Sequence, residues 1–300
     1  MAGSNAARSP AFQPVTPAPV FSTTPAVGAA PALAPTAPPL AVHKIRGGIY
    51  EVTGGAIDNN GFYVGAREVI CIDAKMTPEA TREMVAQIKK LTPNPITFVA
   101  LTHSDTDHVG GLTGYPQSVR VIAQANARRD LDQAFTDPAE RAYLPTVAFT
   151  DELDLHTGDA TVRLLYFGPA HTNGDVVVYF PAEKVAFVGD LVFLGRDPLI
   201  HREKKGGTSV GLVKVLRSIL QLDADTFLNG HAQAATRADV QALIAKIEDT
   251  QAKVKALVTR HKTLVEVKVA LKVEDQPVLP GGHRWPSLVE VVYAELTEKK

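Results

Sequence analysis

The stretch Leu101–Gly111, LTHSDTDHVGG, places His103, Asp105, Asp107 and His108 within six residues and then runs into the pair Gly110-Gly111. It follows ITFVA, an apolar run of strand composition, so His103 falls where a buried strand ends and the chain leaves its sheet. In extended backbone the side chains at 103 and 105 can project in one direction, while Asp107 and His108 sit where a helix could begin. Four ligand-type side chains released from one strand end can feed two adjacent metal ions. Gly110 and Gly111, which lack β-carbons, would let the backbone pass close beneath such a site.

Three more ligand-type residues recur at the ends of strand-like runs: His171 in GPAHTNGD, Asp190 in AFVGDLVF and His231 in FLNGH. Loops beyond strand ends are where sites are commonly built on mixed α/β scaffolds. A lone histidine in such a loop is more often a surface residue, but three such residues beside the 103–108 cluster make that reading poor. His43, His156, His261 and His283 lack this setting and are read as surface residues. His201 stays open, because its loop, FLGRDPLIHREKKGG over 193–207, borders the expected site. The single cysteine, Cys71, lies in the apolar run REVICIDA, which excludes an intrachain disulfide and a Cys-rich zinc site. A metal would have to be held by His, Asp or Glu.

Around these residues the chain reads as one sizeable α/β domain. Its 300 residues are 45% hydrophobic, and 31 basic against 32 acidic side chains leave no global field to recruit nucleic acid or an anionic membrane. No apolar run reaches the roughly 18 residues needed to span a bilayer. Residues 1–40 are Ala- and Pro-rich and read as a disordered leader. Residues 41–262 are expected to form the domain that carries the site, and 263–300 a C-terminal extension packing on it. HKIRGGIYEVTG and GFYVGAREVICIDA read as two strands, joined at a mobile hairpin tip by Asn59, Asn60 and Gly61. Thr77-Pro78 opens a helix that leads into ITFVALT as a β-α-β passage, and a second helix is expected over 123–133. VRLLYFGPA, DVVVYFP and KVAFVGDLVF read as strands, Val210–Leu220 as a helix and DTFLNGH as a short strand. Thr236 caps a long helix with Val240, Leu243, Ile244 and Ile247 on one face, and Ser287 with Glu290 has capping-box spacing before a last helix.

THSDTDHVGG, followed in order by His171, Asp190 and His231, resembles the metallo-β-lactamase superfamily, whose pattern is His-x-His-x-Asp-His and then a His, an Asp and a His on separate loops. The resemblance covers roughly residues 42–260, includes Asp73 in the upstream strand, and implies a four-layer αββα sandwich. It implies two divalent metal ions, zinc by preference: His103, Asp105 and His171 on the first, Asp107, His108 and His231 on the second, and Asp190 bridging, as in glyoxalase II and the lactonases. It also implies a catalytic part for Asp107 and His231, and a role for Asp73 in orienting the metal loop. Simple strand-end capping explains Asp73 equally well, and turn formation explains Asn173 and Asp175.

The departure is Asp105, where the superfamily usually has histidine. An ionised carboxylate there lowers the cluster's net charge from +1 to 0, which should raise the pKa of bound water and shift preference toward iron or manganese without excluding zinc. The function expected is a hydrolase that uses a metal-bridging hydroxide to cleave an ester, lactone, thioester or amide bond, β-lactams included, in a small-molecule substrate. The alternative is a di-iron O2 or NO reductase of the flavodiiron type, relatives that also carry a carboxylate at this position, with a separate flavin partner. Nucleic acid and membrane partners are not expected. Arg196, Arg202, Lys204 and Lys205 could recognise a substrate carboxylate, although a solvated charged loop is the plainer reading. The Pro/Ala leader and the C-terminal tail, which resembles that of periplasmic hydrolases, point to a periplasmic or secreted protein, with a cytoplasmic one as the alternative.

Overall fold

The computed structural model describes Met1 and residues 38–55, 57–158, 160–278 and 284–298. The leader expected over 1–40 falls almost wholly outside these residues, and so does His283. By its internal packing the chain divides into residues 1–36 and 37–300, and the second unit carries every element below.

Two sheets form its centre. The first runs in spatial order β1 (Ala41–Arg46), β2 (Ile49–Thr53), β3 (Asn60–Val64), β4 (Val69–Ile72), β5 (Ile96–Ala100), β6 (Arg120–Gln124) and β7 (Val147–Phe149). β1 to β4 pair antiparallel, and β4 to β7 pair parallel. The second sheet contains β8 (Glu152–His156), β9 (Thr161–Leu165), β10 (Val177–Phe180), β11 (Val185–Gly189) and β12 (Thr226–Asn229), with β12 parallel to β11 and the rest antiparallel. Ile49, Ile70, Ile72 and Ile122 from the first sheet pack against Val178, Phe180, Val185 and Leu228 from the second.

Helices cover the outer faces. α1 (Pro78–Leu91), capped by Thr77, buries Met84, Val85 and Ile88 on the first sheet, and α3 (Ala125–Ala134) adds Ala127 and Leu131. The two are separated by the four-residue α2 (Thr106–Val109) and followed by α4 (Pro138–Arg141). On the second sheet the short α5 (Arg202–Lys205) precedes α6 (Ser209–Ile219), α7 (Arg237–Val258), α8 (Leu264–Leu271) and α9 (Leu288–Thr297). Leu212 and Leu216 of α6, Val240 and Ile247 of α7, Val267 of α8 and Val291 of α9 share one core with that sheet. The result is the αββα sandwich expected from the sequence. Both parallel runs turn the carboxyl ends of β4, β5, β11 and β12 toward one edge, where loops can converge.

Two expectations are corrected. Each of the two runs read as a strand is a pair of strands with its own turn, at Gly47-Gly48 between β1 and β2 and at residues 65–68 between β3 and β4. The runs do pair antiparallel through β2 and β3, but their connection is residues 54–59 and not Asn59-Asn60-Gly61. Asn60, Gly61 and Phe62 are buried in β3, and a β-carbon on Gly61 would lie 2.1 Å from the Phe187 ring of the facing sheet. Both glycine signals are turn signals in sequence; close packing between the sheets decides the second. Asn59 is anchored as well: its N–H donates to Gly230 O at 2.6 Å, and its side chain donates to Ala232 O at 2.9 Å. The second helix also starts later than expected, because Arg120–Gln124 continues as a strand and Gln124 caps α3.

Candidate metal centre

All seven ligand-type residues meet at the strand ends. β5 ends at Ala100, and the extended chain beyond it delivers His103 and Asp105; Asp105 is the residue before α2, whose first turn carries Asp107 and His108. His171 comes from the loop after β9, Asp190 from the residue after β11, and His231 from two residues after β12.

Four imidazoles are fixed by the same device. His108 Nδ1 donates to Asp73 Oδ2 at 2.9 Å, His171 Nδ1 to Leu199 O at 2.8 Å and His231 Nδ1 to Ile57 O at 3.1 Å. Thr102 Oγ1 donates to Asp73 Oδ2 at 2.7 Å and accepts from His103 Nδ1 at 3.0 Å. Each ring therefore carries a proton on Nδ1 and turns Nε2 inward, the usual way a protein orients metal-binding histidines. The buried Nε2 atoms of His103 and His108 and Oδ1 of Asp190 have no hydrogen-bond partner, which is costly unless a cation takes that place.

The ligand atoms fall into overlapping groups. His103, His171 and Asp190 offer atoms within 4.8 Å of one another, and Asp107, His108 and His231 do the same. Asp190 lies between them, with Oδ1 3.3 Å from His108 Nε2 and Oδ2 3.0 Å from His231 Nε2 and 3.9 Å from His171 Nε2. This donor set, imidazole and carboxylate with no thiolate, suits zinc, iron or manganese. Access comes from one side: the side chains of Asp107 and His231 are 20% and 17% exposed, while those of His103, His108 and His171 are at most 1% exposed.

Charge in the cluster follows from burial and proximity. Burial would raise the Asp190 carboxyl, but His108, His231 and His103 outweigh it and hold the group well below the usual range. Asp105 is likewise held low by His103, His171 and His201 against its burial. Burial opposes charge on His171 and His231 too, yet Asp105 beside the first and Asp107 with Asp190 beside the second push them up to about 9 and about 10. His103, with burial dominant and His108 beside it, is pushed down to about 3 and stays neutral. Protons thus occupy the positions that cations would take.

Asp73, at φ +60, does more than cap a strand. Its Oδ1 also accepts from Thr102 N at 2.7 Å, so one carboxylate orients both His103 and His108. Asp175 accepts from Thr172 N at 2.9 Å and Thr172 Oγ1 at 2.6 Å, shaping the His171 loop. Gly110 and Gly111 serve a different neighbour from the one expected. A β-carbon at Gly111 would lie 2.2 Å from Thr81 Oγ1 and 2.3 Å from Lys75 O, so the pair packs against the chain entering α1. The glycine pressed against the centre is Gly230, where a β-carbon would lie 2.2 Å from Asp190 Oδ1.

Two residues of the charged 193–207 loop, His201, left open by the sequence, and Lys205, read there as a group that could meet a substrate carboxylate, reach Asp105 instead. Lys205 Nζ lies 2.6 Å from Asp105 Oδ1 and 2.9 Å from Ser104 O, and His201 Nε2 lies 2.7 Å from Asp105 Oδ2. Of the other basic residues there, Arg202 pairs with Glu298 and Arg196 stacks over the Phe193 ring at 4.6 Å. His43, His156 and His261 are exposed, as expected.

This fold and this cluster agree with what the chain resembles. The family model described as the metallo-beta-lactamase superfamily matches residues 54–231, and the protein belongs to that family. Among curated proteins, the chain is 26% identical over 212 residues to the 2,4-dinitroanisole O-demethylase subunit alpha of Nocardioides sp., covering 68% of this chain and 61% of that protein. It is 27% identical over 203 residues to a hydroxyacylglutathione hydrolase of Mesorhizobium japonicum, covering 66% of this chain and 68% of that one. The chain spans about half to two thirds of the length of the curated relatives it matches. A metallo-beta-lactamase structure from Pontibacter korlensis superposes with a TM-score of 0.61 at 19% identity, covering 70% of this chain and 99% of that chain.

Proposed function

We propose that the protein is a dinuclear metal-dependent hydrolase that cleaves an ester, lactone, thioester or amide bond in a small molecule. The observation that carries this reading is the set of four histidines, each tied through Nδ1 and each presenting Nε2 to one or two of the carboxylates Asp105, Asp107 and Asp190. His103, His171, Asp105 and Asp190 would hold one ion, and Asp107, His108, His231 and Asp190 the other. When bound, the ions supply Lewis acidity, lowering the pKa of water to make it a nucleophile near neutral pH and polarising the bond under attack.

The side chains do the rest. Asp190, between the two groups, fixes their separation. Asp107 lies at the open side with Oδ2 3.3 Å from His231 Nε2, where its carboxylate can take a proton from the attacking water and return it to the leaving atom. Phe193 stacks 6.1 Å from the His231 ring, and Trp285 lies 4.2 Å from the His201 ring, so a substrate entering there meets aromatic walls on both sides. The kinship with a hydrolase of a hydroxyacylglutathione supports acyl cleavage, and that with an O-demethylase keeps C–O cleavage within the substrate panel.

The test is turnover of ester, lactone, thioester, β-lactam and aryl methyl ether substrates by the zinc-, iron- and manganese-loaded protein. At least one should be hydrolysed, with activity lost to a chelator and regained on adding metal, and lowered more than about 100-fold by Asp107→Asn. Rates unaffected by chelation would overturn the proposal.

A further inference from the structure

We propose that His201 is an additional metal ligand, an imidazole brought to the first ion position by the 193–207 loop to replace the one that Asp105 displaces from the metal-binding stretch. This rests on the dinuclear reading above and extends its ligand set to a residue outside the strand-end pattern.

Three observations converge on it. The first is position. Asp105 Oδ2 lies 2.7 Å from His201 Nε2 and 3.1 Å from His171 Nε2, and the ligand atoms of these three residues lie within 4.8 Å of one another. His201 is thus aimed at the atom that carries the departure from the family pattern.

The second is the state of Asp105. Lys205 Nζ lies 2.6 Å from its Oδ1 and is itself fixed by Ser104 O at 2.9 Å and Ser104 Oγ at 3.0 Å. A carboxylate clamped in this way offers an ion one oxygen, Oδ2, and cannot chelate with both. It is also shorter than the imidazole it replaces. The first position is therefore left short of a nitrogen donor, and His201 is the imidazole that points at the gap.

The third is rigidity, since a ligand loop must be held as firmly as the strand ends. His201 N–H donates to His171 O at 2.8 Å, Gly207 N–H to His201 O at 3.0 Å, and Thr208 N–H to Ala170 O at 2.8 Å. A β-carbon on Gly207 would lie 2.2 Å from His171 O, so the loop lies flush on the chain that bears His171. The Trp285 ring backs the His201 ring at 4.2 Å, and the His201 side chain is only 15% exposed.

Cadmium tests this directly. The full chain is produced with isotope-labelled histidine nitrogens and loaded with an NMR-active cadmium isotope, so that a one-bond coupling reports each nitrogen bonded to the ion. The expected result is coupling on His103, His108, His171, His231 and a fifth ring, the fifth being lost in His201→Gln while the other four remain as an internal check on folding. The same variant should release metal to a chelator at more than about ten times the parent's rate of exchange. Four coupled rings in the parent, unchanged in His201→Gln, would overturn the inference and leave the dinuclear reading standing. No coupling on any histidine would sink both.

Discussion

Asp73 shows how much of the centre depends on a residue outside it. Its Oδ2 serves Thr102 Oγ1 and His108 Nδ1 together, while Oδ1 holds Thr102 N, so replacing the carboxylate disturbs two rings of the candidate centre at once, His108 directly and His103 through Thr102. Asp73→Asn puts an amide donor where an acceptor is needed. It should weaken metal binding about 10- to 100-fold, measured by chelator competition; unchanged affinity would mean that the rings keep their orientation without it. Lys205 changes the charge argument made from the sequence. With its ammonium 2.6 Å from Asp105 Oδ1, the extra negative charge at 105 is offset, and a centre that the sequence suggested was neutral regains +1. Lys205→Met should therefore move the acidic limb of the rate profile up, and Asp105→His should move it down, each by about one pH unit. Shifts of the same sign in both variants would contradict this balance. The sequence left His201 open and offered Lys205 only to a substrate carboxylate; their contact with Asp105 was not legible, because REKK reads as a solvated charged run and nothing in its spacing shows that Gly207 lets the loop settle against His171. The 103–108 stretch, His171, Asp190 and His231 could be picked out because each follows an apolar strand run.

At the scale of elements, strand ends and caps were the readable features, and packing decided the rest. Thr77, Thr236 and Ser287 cap the helices expected of them because side-chain capping is a local interaction. The Asn59–Gly61 turn was misplaced because its glycine answers to Phe187 on the other sheet, a contact no local pattern reveals. The short strands β7 and β8 went unread for a related reason: three to five residues of mixed polarity carry little periodic signal. α9 offers the clearest test at this scale. Ser287 is buried and Oγ accepts from Glu290 N, while Glu290 returns a bond to Ser287 N at 2.7 Å and pairs with Arg284 at 2.9 Å. Ser287→Ala should cost about 1 kcal/mol of unfolding free energy, read from the denaturant midpoint, and leave metal content unchanged. Metal loss in that variant would show that α9 supports the centre rather than only the outer core.

For the molecule as a whole, folding and metal binding are linked through protons. In the metal-free protein, burial opposes charge on His171 and His231, but their carboxylate neighbours raise them to about 9 and about 10, above an ordinary histidine. A raised histidine stabilises the metal-free fold fully below its unfolded pKa of about 6.5, and that contribution is lost as pH climbs through the folded values. Metal binding needs the neutral rings, so the sign for the loaded protein is opposite. Affinity should rise from pH 6 toward 9, and uptake at pH 7 should release protons, seen by calorimetry in buffers of different ionisation enthalpy. Uptake without proton release would mean that these rings do not bind the ions. The central claim is the dinuclear centre itself, and it is tested most directly by elemental analysis after metal loading and removal of loosely bound ions. The account predicts two ions per chain in the parent and one in His108→Ala or His231→Ala, each of which removes a nitrogen from the second position only. Two ions retained in both variants, or none in the parent, would contradict it.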